Sequence, residues 1–512
     1  MKPWSHFSAL LIQLGLLISL CVPTQGTAES PSPALLSQQK KKAFDVRKVQ
    51  TQRLPNGIPM HHWKLNNGLQ VILLERHEAP VLTFQVWYPV GSADEKLDPR
   101  LMATGLAHLF EHMMFRGTQT VPDGQFDLRL TAAGMQDGNA TTSADRTNYY
   151  QSVPIEAFEL VAQLEADRMV HLKIDEKLLE TEKGAVLSER KKALENPDRV
   201  ANQILYQTAF QVHPYRWSVL GTEVEIQGFS VAQAMHFYRT HYVPNRATLI
   251  LAGDTTPLAA HPILDKYFGP LPEAASLPPK FSSREEPAQT KERTLTFTHP
   301  QISSGKLTLG YRAVAAKDED LAALHVINSL LTLGDSSILQ LKWVDGGLAS
   351  AIGGSLDEMK APGLLTLSAD LLIPSDPQNK NSSPEKVAQE CLKVLDQELE
   401  KLRVQLPSKL LERAKNRLLL EFYSQWETLP SLANFIGEAL IATQRPQAGF
   451  ELTQRINSMS PQKVQAALKK YLIPSQRTVI LGIPGKTLTG VIEKIPPEAA
   501  PSPQSTPVQV NP

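Results

Sequence analysis

His108, Glu111 and His112 stand at H-x-x-E-H spacing inside the run Gly105-Leu-Ala-His-Leu-Phe-Glu-His-Met-Met-Phe-Arg-Gly117. The run is apolar and free of proline, so its natural state is a helix. Residues four apart share a helical face, which points both imidazoles the same way. Two neighbouring imidazoles are a ready pair of ligands for Zn²⁺. Glu111 lies one residue before His112 and is displaced around the helix from both histidines. From there its carboxylate can reach a water beside a metal without taking a coordination position, as a hydrolytic general base must. Without a third ligand, the bland alternative is a pair of core histidines beside a solvated acid.

A structural zinc usually has four protein ligands, whereas a catalytic zinc has three and an open position. A third ligand is available in Thr181-Glu-Lys-Gly-Ala-Val-Leu-Ser-Glu-Arg190. Glu182 and Glu189 lie two helical turns apart and share one face. Neighbouring Glu176, Glu180 and Glu195 read as solvated.

H-x-x-E-H is the reverse of the H-E-x-x-H zinc-protease pattern and is known as the inverzincin motif. With its surroundings it resembles the insulinase/pitrilysin family of metallopeptidases. That family carries a Glu 77 residues after the second His, where Glu189 stands, in an E-x-x-x-V-x-x-E setting that Glu182 to Glu189 matches. Asn67-Gly-Leu69, Trp87-Tyr-Pro-Val-Gly-Ser92 and Gly105-Leu-Ala-His108 follow the family's order of N-G-L, W-Y-x-V-G-S and G-x-A-H. The resemblance implies one Zn²⁺ per chain, held by His108, His112 and Glu189. It makes Glu111 the catalytic general base and Glu182 a supporting carboxylate that orients a ligand histidine.

Gly138-Asn-Ala-Thr-Thr-Ser-Ala-Asp145 and Thr147-Asn-Tyr149 resemble the family's N-A-x-T and D-x-T-x-Y stretch. In the family this is an edge strand beside the metal. Such a strand can accept an extended peptide as an added strand, so Asn139 and Ala140 are candidate substrate-binding residues. An ordinary edge strand is the bland alternative. His213-Pro-Tyr215 and Gly221 match a further family stretch. His213 is the best decoy ligand, but the zinc set is complete without it.

The elements that must position these groups can be read in order. Residues 1–28 read as a secretory signal: Lys2 is a positive start, Phe7 to Val22 is mostly apolar, and Gly26-Thr-Ala28 offers small residues for cleavage. An uncleaved anchor is the alternative, although the apolar core is short for a span and carries Gln13 and Ser19. Export implies a periplasmic or other extracytoplasmic location. Once Cys21 is removed with the signal, Cys391 is the only cysteine, so no internal disulfide forms. Lys and Arg together number 52, as do Asp and Glu, so no net basic field draws nucleic acid or an acidic membrane.

Leu65-Asn-Asn-Gly68 is a hairpin signal, with strands over Leu69 to Leu74 and Val81 to Val90. Helices are expected over Pro154 to Leu172 and Asp175 to Leu194. An internal repeat follows. Ser230 to Ala252 reads as a helix ending in Tyr242, then Pro244, then the strand Ala247 to Gly253. Ser460 to Gly482 repeats it with Tyr471, Pro474 and Arg477 to Gly482. Thr294 to Tyr311 reads as paired strands before a helix over Asp320 to Leu333, mirroring the order before the His108 helix. A repeat this long means two similar domains rather than a solenoid.

The expected layout is a polar lead-in at 29–55, a zinc-binding peptidase domain at 56–270, a linker at 271–290 and a second homologous domain at 291–487. The second copy has His325 but no H-x-x-E-H, so it carries no metal site. The Pro-rich end, 488–512, reads as disordered. The resemblance, over roughly 58–485, implies an α+β fold of two similar domains. Each is a mostly antiparallel sheet packed against helices, and together they form half of a clam-shell.

One departure bears on partners. Many family members carry S-S-R-L and then G-L-A-Y in the second domain, where the Arg and Tyr help hold substrate. Here the stretches are Ser336-Ser-Ile-Leu339 and Gly347-Leu-Ala-Ser350, so Ile338 and Ser350 replace that pair. The resemblance then implies the zinc subunit of a heterodimer whose homologous partner supplies the Arg and Tyr, with a homodimer as the other arrangement. The function implied is a zinc metalloendopeptidase acting on short or unfolded polypeptides. Its rivals are a non-catalytic structural subunit of the same fold and a zinc-dependent binding protein.

Overall fold

A computed structural model describes residues 46–491, apart from 96–97, 99, 102, 275–284 and 374–382. The leader expected at 1–28 lies outside the described residues, as do most of the lead-in, half of the linker and nearly all of the Pro-rich tail.

The apolar and β-branched runs form strands in two sheets. β1 (Gln50–Arg53), β2 (Pro59–Lys64), β3 (Gln70–Glu75), β4 (Val81–Tyr88), β5 (Gln136–Thr142), β6 (Thr147–Pro154) and β7 (Thr248–Gly253) form a seven-stranded sheet. Its order is β1-β2-β3-β7-β4-β6-β5. The polar lead-in therefore ends in an edge strand, β1, whose four residues are all exposed. β4 and β7 are buried almost throughout, which explains why they read as near-continuous apolar runs.

β8 (Arg293–His299), β9 (Lys306–Arg312), β10 (Ala349–Leu356), β11 (Leu364–Leu371) and β12 (Arg477–Pro484) form a five-stranded sheet ordered β10-β11-β9-β12-β8. Taken from its other edge, this order repeats β3-β7-β4-β6-β5. In each sheet one pair is parallel, β3 with β7 and β8 with β12, and the corresponding remaining pairs are antiparallel. The repeat seen in the sequence is thus a repeat of topology.

One expectation is corrected. The strands within Thr294 to Tyr311 do not pair with each other, because β12, the last strand in the chain, lies between β8 and β9. β7 separates β3 from β4 in the same way. A parallel neighbour requires a long crossover, and the helices of each half provide it.

The helices do not all cover their own sheet. Helix Pro197–Ala209 belongs to the first half of the chain but packs on β8, β9 and β12. Its Val200, Ile204 and Leu205 share a buried cluster with Phe297, Leu364 and Ile480. Helix Leu429–Thr443, from the second half, packs on β4 and β7. Trp87 of β4 is fully buried against this helix, and a Cβ added at Gly437 would fall 2.2 Å from the indole. A single apolar cluster therefore runs from Ile72, Trp87 and Ile250 through Ile436 to Leu309 and Leu324. Among the described residues, no helix is long and apolar enough to cross a membrane.

The close fit at Gly437 sets two effects against each other. Alanine favours a helix interior over glycine by about 1 kcal/mol, whereas forcing extra volume into a packed core costs about 1–3 kcal/mol. Gly437→Ala is expected to lower stability in urea or thermal unfolding. A stability gain would mean that Trp87 yields to the new methyl group at no cost.

Candidate metal centre

Helix Leu106–Met113 carries His108, Glu111 and His112. It begins at Gly105, whose φ of 95° lies in the left-handed region that favours glycine. A side chain there would also meet the Leu220 carbonyl oxygen at 2.8 Å. The buried Glu95 carboxylate accepts hydrogen bonds from the Gly105 and Ala107 N–H groups at 2.7 and 2.5 Å. These are orphan donors of the first helical turn, and Glu95 satisfies them from outside the helix.

Helix Glu176–Leu194 crosses the first and presents Glu182 and Glu189 to it. Glu189 Oε2 lies 3.4 Å from His108 Nε2 and 3.5 Å from His112 Nε2. The two imidazole rings are 4.9 Å apart, inclined at 69°. Tetrahedral zinc bonds of about 2.0–2.2 Å place ligand atoms about 3.4 Å apart, so these residues fit a zinc ion in spacing and in donor type. Among the described residues, these three form the only group of His, Cys, Asp or Glu close enough to hold a metal.

The protonation preferences of the two histidines differ. Burial holds the His108 pKa down at about 4, against the attraction of Glu189, so this imidazole stays in its neutral, ligating form. His112 is shifted upward by Glu182, 3.5 Å from its Nδ1 and on the side away from Glu189. Glu182 is nearly fully buried. Burial alone would raise its pKa, but His112 and Arg116 outweigh burial and hold it below the usual carboxylate range. Arg116 donates to Glu182 Oε1 through Nε at 2.7 Å and approaches it through Nη2 at 2.6 Å. His108 Nδ1 is buried and makes no hydrogen bond, so only His112 has a carboxylate behind it.

Glu111 is half-buried beside these groups. Burial raises its pKa, opposed by a hydrogen bond donated from Thr142 Oγ1 to Oε2 at 2.6 Å. A carboxylate raised in this way is a stronger base than an exposed one. Thr142 ends β5, which packs against the His108 helix and is the outermost strand of its sheet. Asn139 and Ala140 pair with Tyr150 and Tyr149 on one side of β5, and among the described residues the sheet has no further strand on the other. A bulge before Asn139, with Asp137 at φ 55°, bends the strand.

Other candidates fall elsewhere. His213 packs its ring 4.2 Å from that of Tyr215 and takes no part in the metal group. His325 lies in the second half, 3.1 Å from Glu358 and edge-on to Phe422. Ser350 is exposed on β10, whereas Ile338 is packed into the apolar core. An arginine at 338 would have to bury its charge, so the family's Arg could not be restored there without repacking.

Glu95, Arg116 and Thr142 are the supporting residues that the sequence reading missed. Arg116 is signalled by its place one turn beyond His112, and Thr142 by its place in the N-A-x-T stretch. Nothing local marks Glu95, whose partners are ten and twelve residues away.

Comparison with known proteins bears on family and fold. Residues 70–223 match the family described as "Insulinase (Peptidase family M16)", and residues 228–418 match "Peptidase M16 inactive domain". A zinc protease of Helicobacter pylori, PqqE, is 29% identical over 293 residues, which is 56% of this chain and 64% of that protein. The match thus spans just under two thirds of that relative's length. A probable mitochondrial-processing peptidase subunit beta of Arabidopsis thaliana is 23% identical, over 80% of this chain and 75% of the relative. The crystal structure of a protease from Helicobacter pylori aligns with a TM-score of 0.75 at 25% identity, covering 83% of this chain and 99% of that one.

The carboxylate behind His112 generates a prediction. Groups that orient metal ligands typically contribute 10–100-fold to metal affinity. Glu182→Ala should weaken zinc binding by about that factor in a chelator competition titration. An unchanged affinity would show that Glu182 serves only Arg116.

Proposed function

Because the chain belongs to the insulinase family of M16 peptidases, we propose that it is a zinc-dependent endopeptidase acting on short or unfolded polypeptides. The observation that carries this reading is the convergence of His108 Nε2, His112 Nε2 and Glu189 Oε2, with Glu111 beside them. Zinc bound there would act as a Lewis acid on the scissile carbonyl and lower the pKa of a water to about 7. His108, His112 and Glu189 hold the ion, and Glu182 orients His112. Glu111 accepts a proton from the attacking water and passes it to the leaving amine. With Oε2 engaged by Thr142, its other oxygen is free for that transfer. The open edge of β5 at Asn139 and Ala140 aligns an extended peptide by strand addition, which selects backbone rather than side chains.

In the same reading, residues 56–270 are the peptidase domain and 291–487 a metal-free homologous domain. The leader at 1–28 directs the chain to the periplasm or another extracytoplasmic space. A homologous subunit supplies the Arg and Tyr that Ile338 and Ser350 replace. A second reading, a non-catalytic or binding subunit of the same fold, draws on that missing pair and on the inactive-domain match over 228–418.

Substitution and chelation separate the readings. Glu111→Gln keeps size and polarity but removes the base. It should retain stoichiometric zinc while lowering turnover about 10²–10⁴-fold on a fluorogenic peptide. Glu189→Gln should instead lose zinc affinity, and chelation should abolish wild-type activity until zinc is returned. Full activity in Glu111→Gln would refute the assigned base.

Mixing tests the partner. The purified chain should show low activity that rises on adding a co-purifying homologue with the Arg/Tyr pair. Full activity from a verified monomer or homodimer would exclude the heterodimer, and zinc binding without turnover in either state would favour the non-catalytic reading.

A further inference from the structure

Two stretches marked in the sequence, Asp145 to Tyr149 and His213 to Tyr215, lie outside the metal group, yet the fold joins them. Tyr215 is buried, and its hydroxyl donates to Asp145 Oδ2 at 2.7 Å. The same carboxylate oxygen accepts the Lys360 N–H at 2.8 Å, and the Tyr215 oxygen accepts the Ala361 N–H at 3.1 Å. Lys360 Nζ donates to the Asp145 carbonyl at 2.8 Å. Lys360 and Ala361 belong to the loop joining β10 to β11, so the contact fastens the second half of the chain to the turn between β5 and β6.

Both sides of this clasp are braced. His213 accepts the Tyr215 N–H through Nδ1 and packs edge-on against its ring. Glu286 accepts the N–H groups of Gln211, Val212 and His213 at 2.7, 2.8 and 2.8 Å, fixing the approach to Tyr215. Across the turn, the Ser143 and Ala144 carbonyls accept the Ser92 and Ala93 N–H groups. Arg146 reaches back to the Thr141 carbonyl at 3.0 Å and across to Glu438 of helix Leu429–Thr443 at 2.6 Å. Burial, with Asp145 beside it, pushes the Tyr215 phenol well above its ordinary pKa, so it remains a donor. Immediately before this turn stands Thr142, which holds Glu111.

We propose that Tyr215 and Asp145 are positioning residues for the hydrolysis, through which the β10–β11 loop of the second half fixes the β5–β6 turn and so the Thr142–Glu111 contact. This rests on the peptidase reading above. It gives the second half a role inside the reaction: that half holds the base in place from outside the metal group. The metal ligands sit on helices Leu106–Met113 and Glu176–Leu194, and the substrate edge at Asn139 and Ala140 is paired to Tyr150 and Tyr149. The hydrogen bonds of the clasp reach neither the three metal-group residues nor Asn139 and Ala140. Loosening it should therefore reduce kcat and spare both zinc affinity and KM.

The test uses the full chain, zinc-loaded and with its homologous partner if one proves necessary, on a fluorogenic peptide. Tyr215→Phe removes one hydroxyl and keeps the ring against His213. It should lower kcat at least tenfold, leave KM within twofold and zinc stoichiometry unchanged, and speed amide hydrogen exchange at 141–146. Asp145→Asn keeps an acceptor oxygen and should recover most of the activity lost in Asp145→Ala. If Asp145→Ala fails to fold, Tyr215→Phe alone decides. Unchanged kcat in Tyr215→Phe, a rise in KM without a fall in kcat, or a loss of zinc in step with activity would each overturn the positioning role while the wild type remains active. A zinc-loaded wild type that cleaves no peptide, alone or with its partner, would overturn the peptidase reading itself and the positioning role with it.

Discussion

A helix of eight residues is too short to persist in water, so the His108 helix must be held by what surrounds it. Three contacts hold it. Glu95 takes the N–H groups of its first turn. Leu106, Leu109, Phe110 and Met113 are buried. Arg116, just past its end, is tied to Glu182 on the crossing helix Glu176–Leu194. The last contact also sets the phase of the crossing: with Glu182 fixed behind His112, Glu189 arrives two turns later in front of both imidazoles. The geometry of the site follows from that one packing of two helices.

The electrostatics follow from the same crossing. Glu111, Glu182 and Glu189 gather around two imidazoles, and Arg116 is shared between Glu182 and Asp123. Like charges at such range repel strongly in a partly buried site. A divalent cation would offset that crowding of carboxylates, and the depressed His108 pKa leaves an imidazole free to bind one.

The two sheets share topology but not independence. Each is closed by a helix from the other half, and Trp87 against Gly437 makes that closure tight. The polar clasp at Asp145 and Tyr215 lies along the same junction. The second half, which has no such group among its described residues, thus remains bound into the surroundings of the half that holds His108, His112 and Glu189. In the second copy, His325 lies 3.1 Å from Glu358 and edge-on to Phe422, and among the described residues it belongs to no metal group.

Much of this was legible in the order of residues. A period near 3.6 placed His108 and His112 on one face and Glu182 and Glu189 on another, because helical geometry is local and follows from spacing alone. The topological repeat was foreshadowed by two similar helix–Pro–strand runs. Two things were decided only by tertiary structure. The last strand of each repeat inserts between two earlier strands, and the helices at 197–209 and 429–443 cover each other's sheets. Periodicity shows that a face is apolar but not which surface will bury it, since burial is nearly indifferent to the source of the covering atoms. For the same reason Glu95 and Tyr215 carried no local sign of their partners. Their bonds join groups from 10 to 146 residues apart, and only the packed chain brings them within reach.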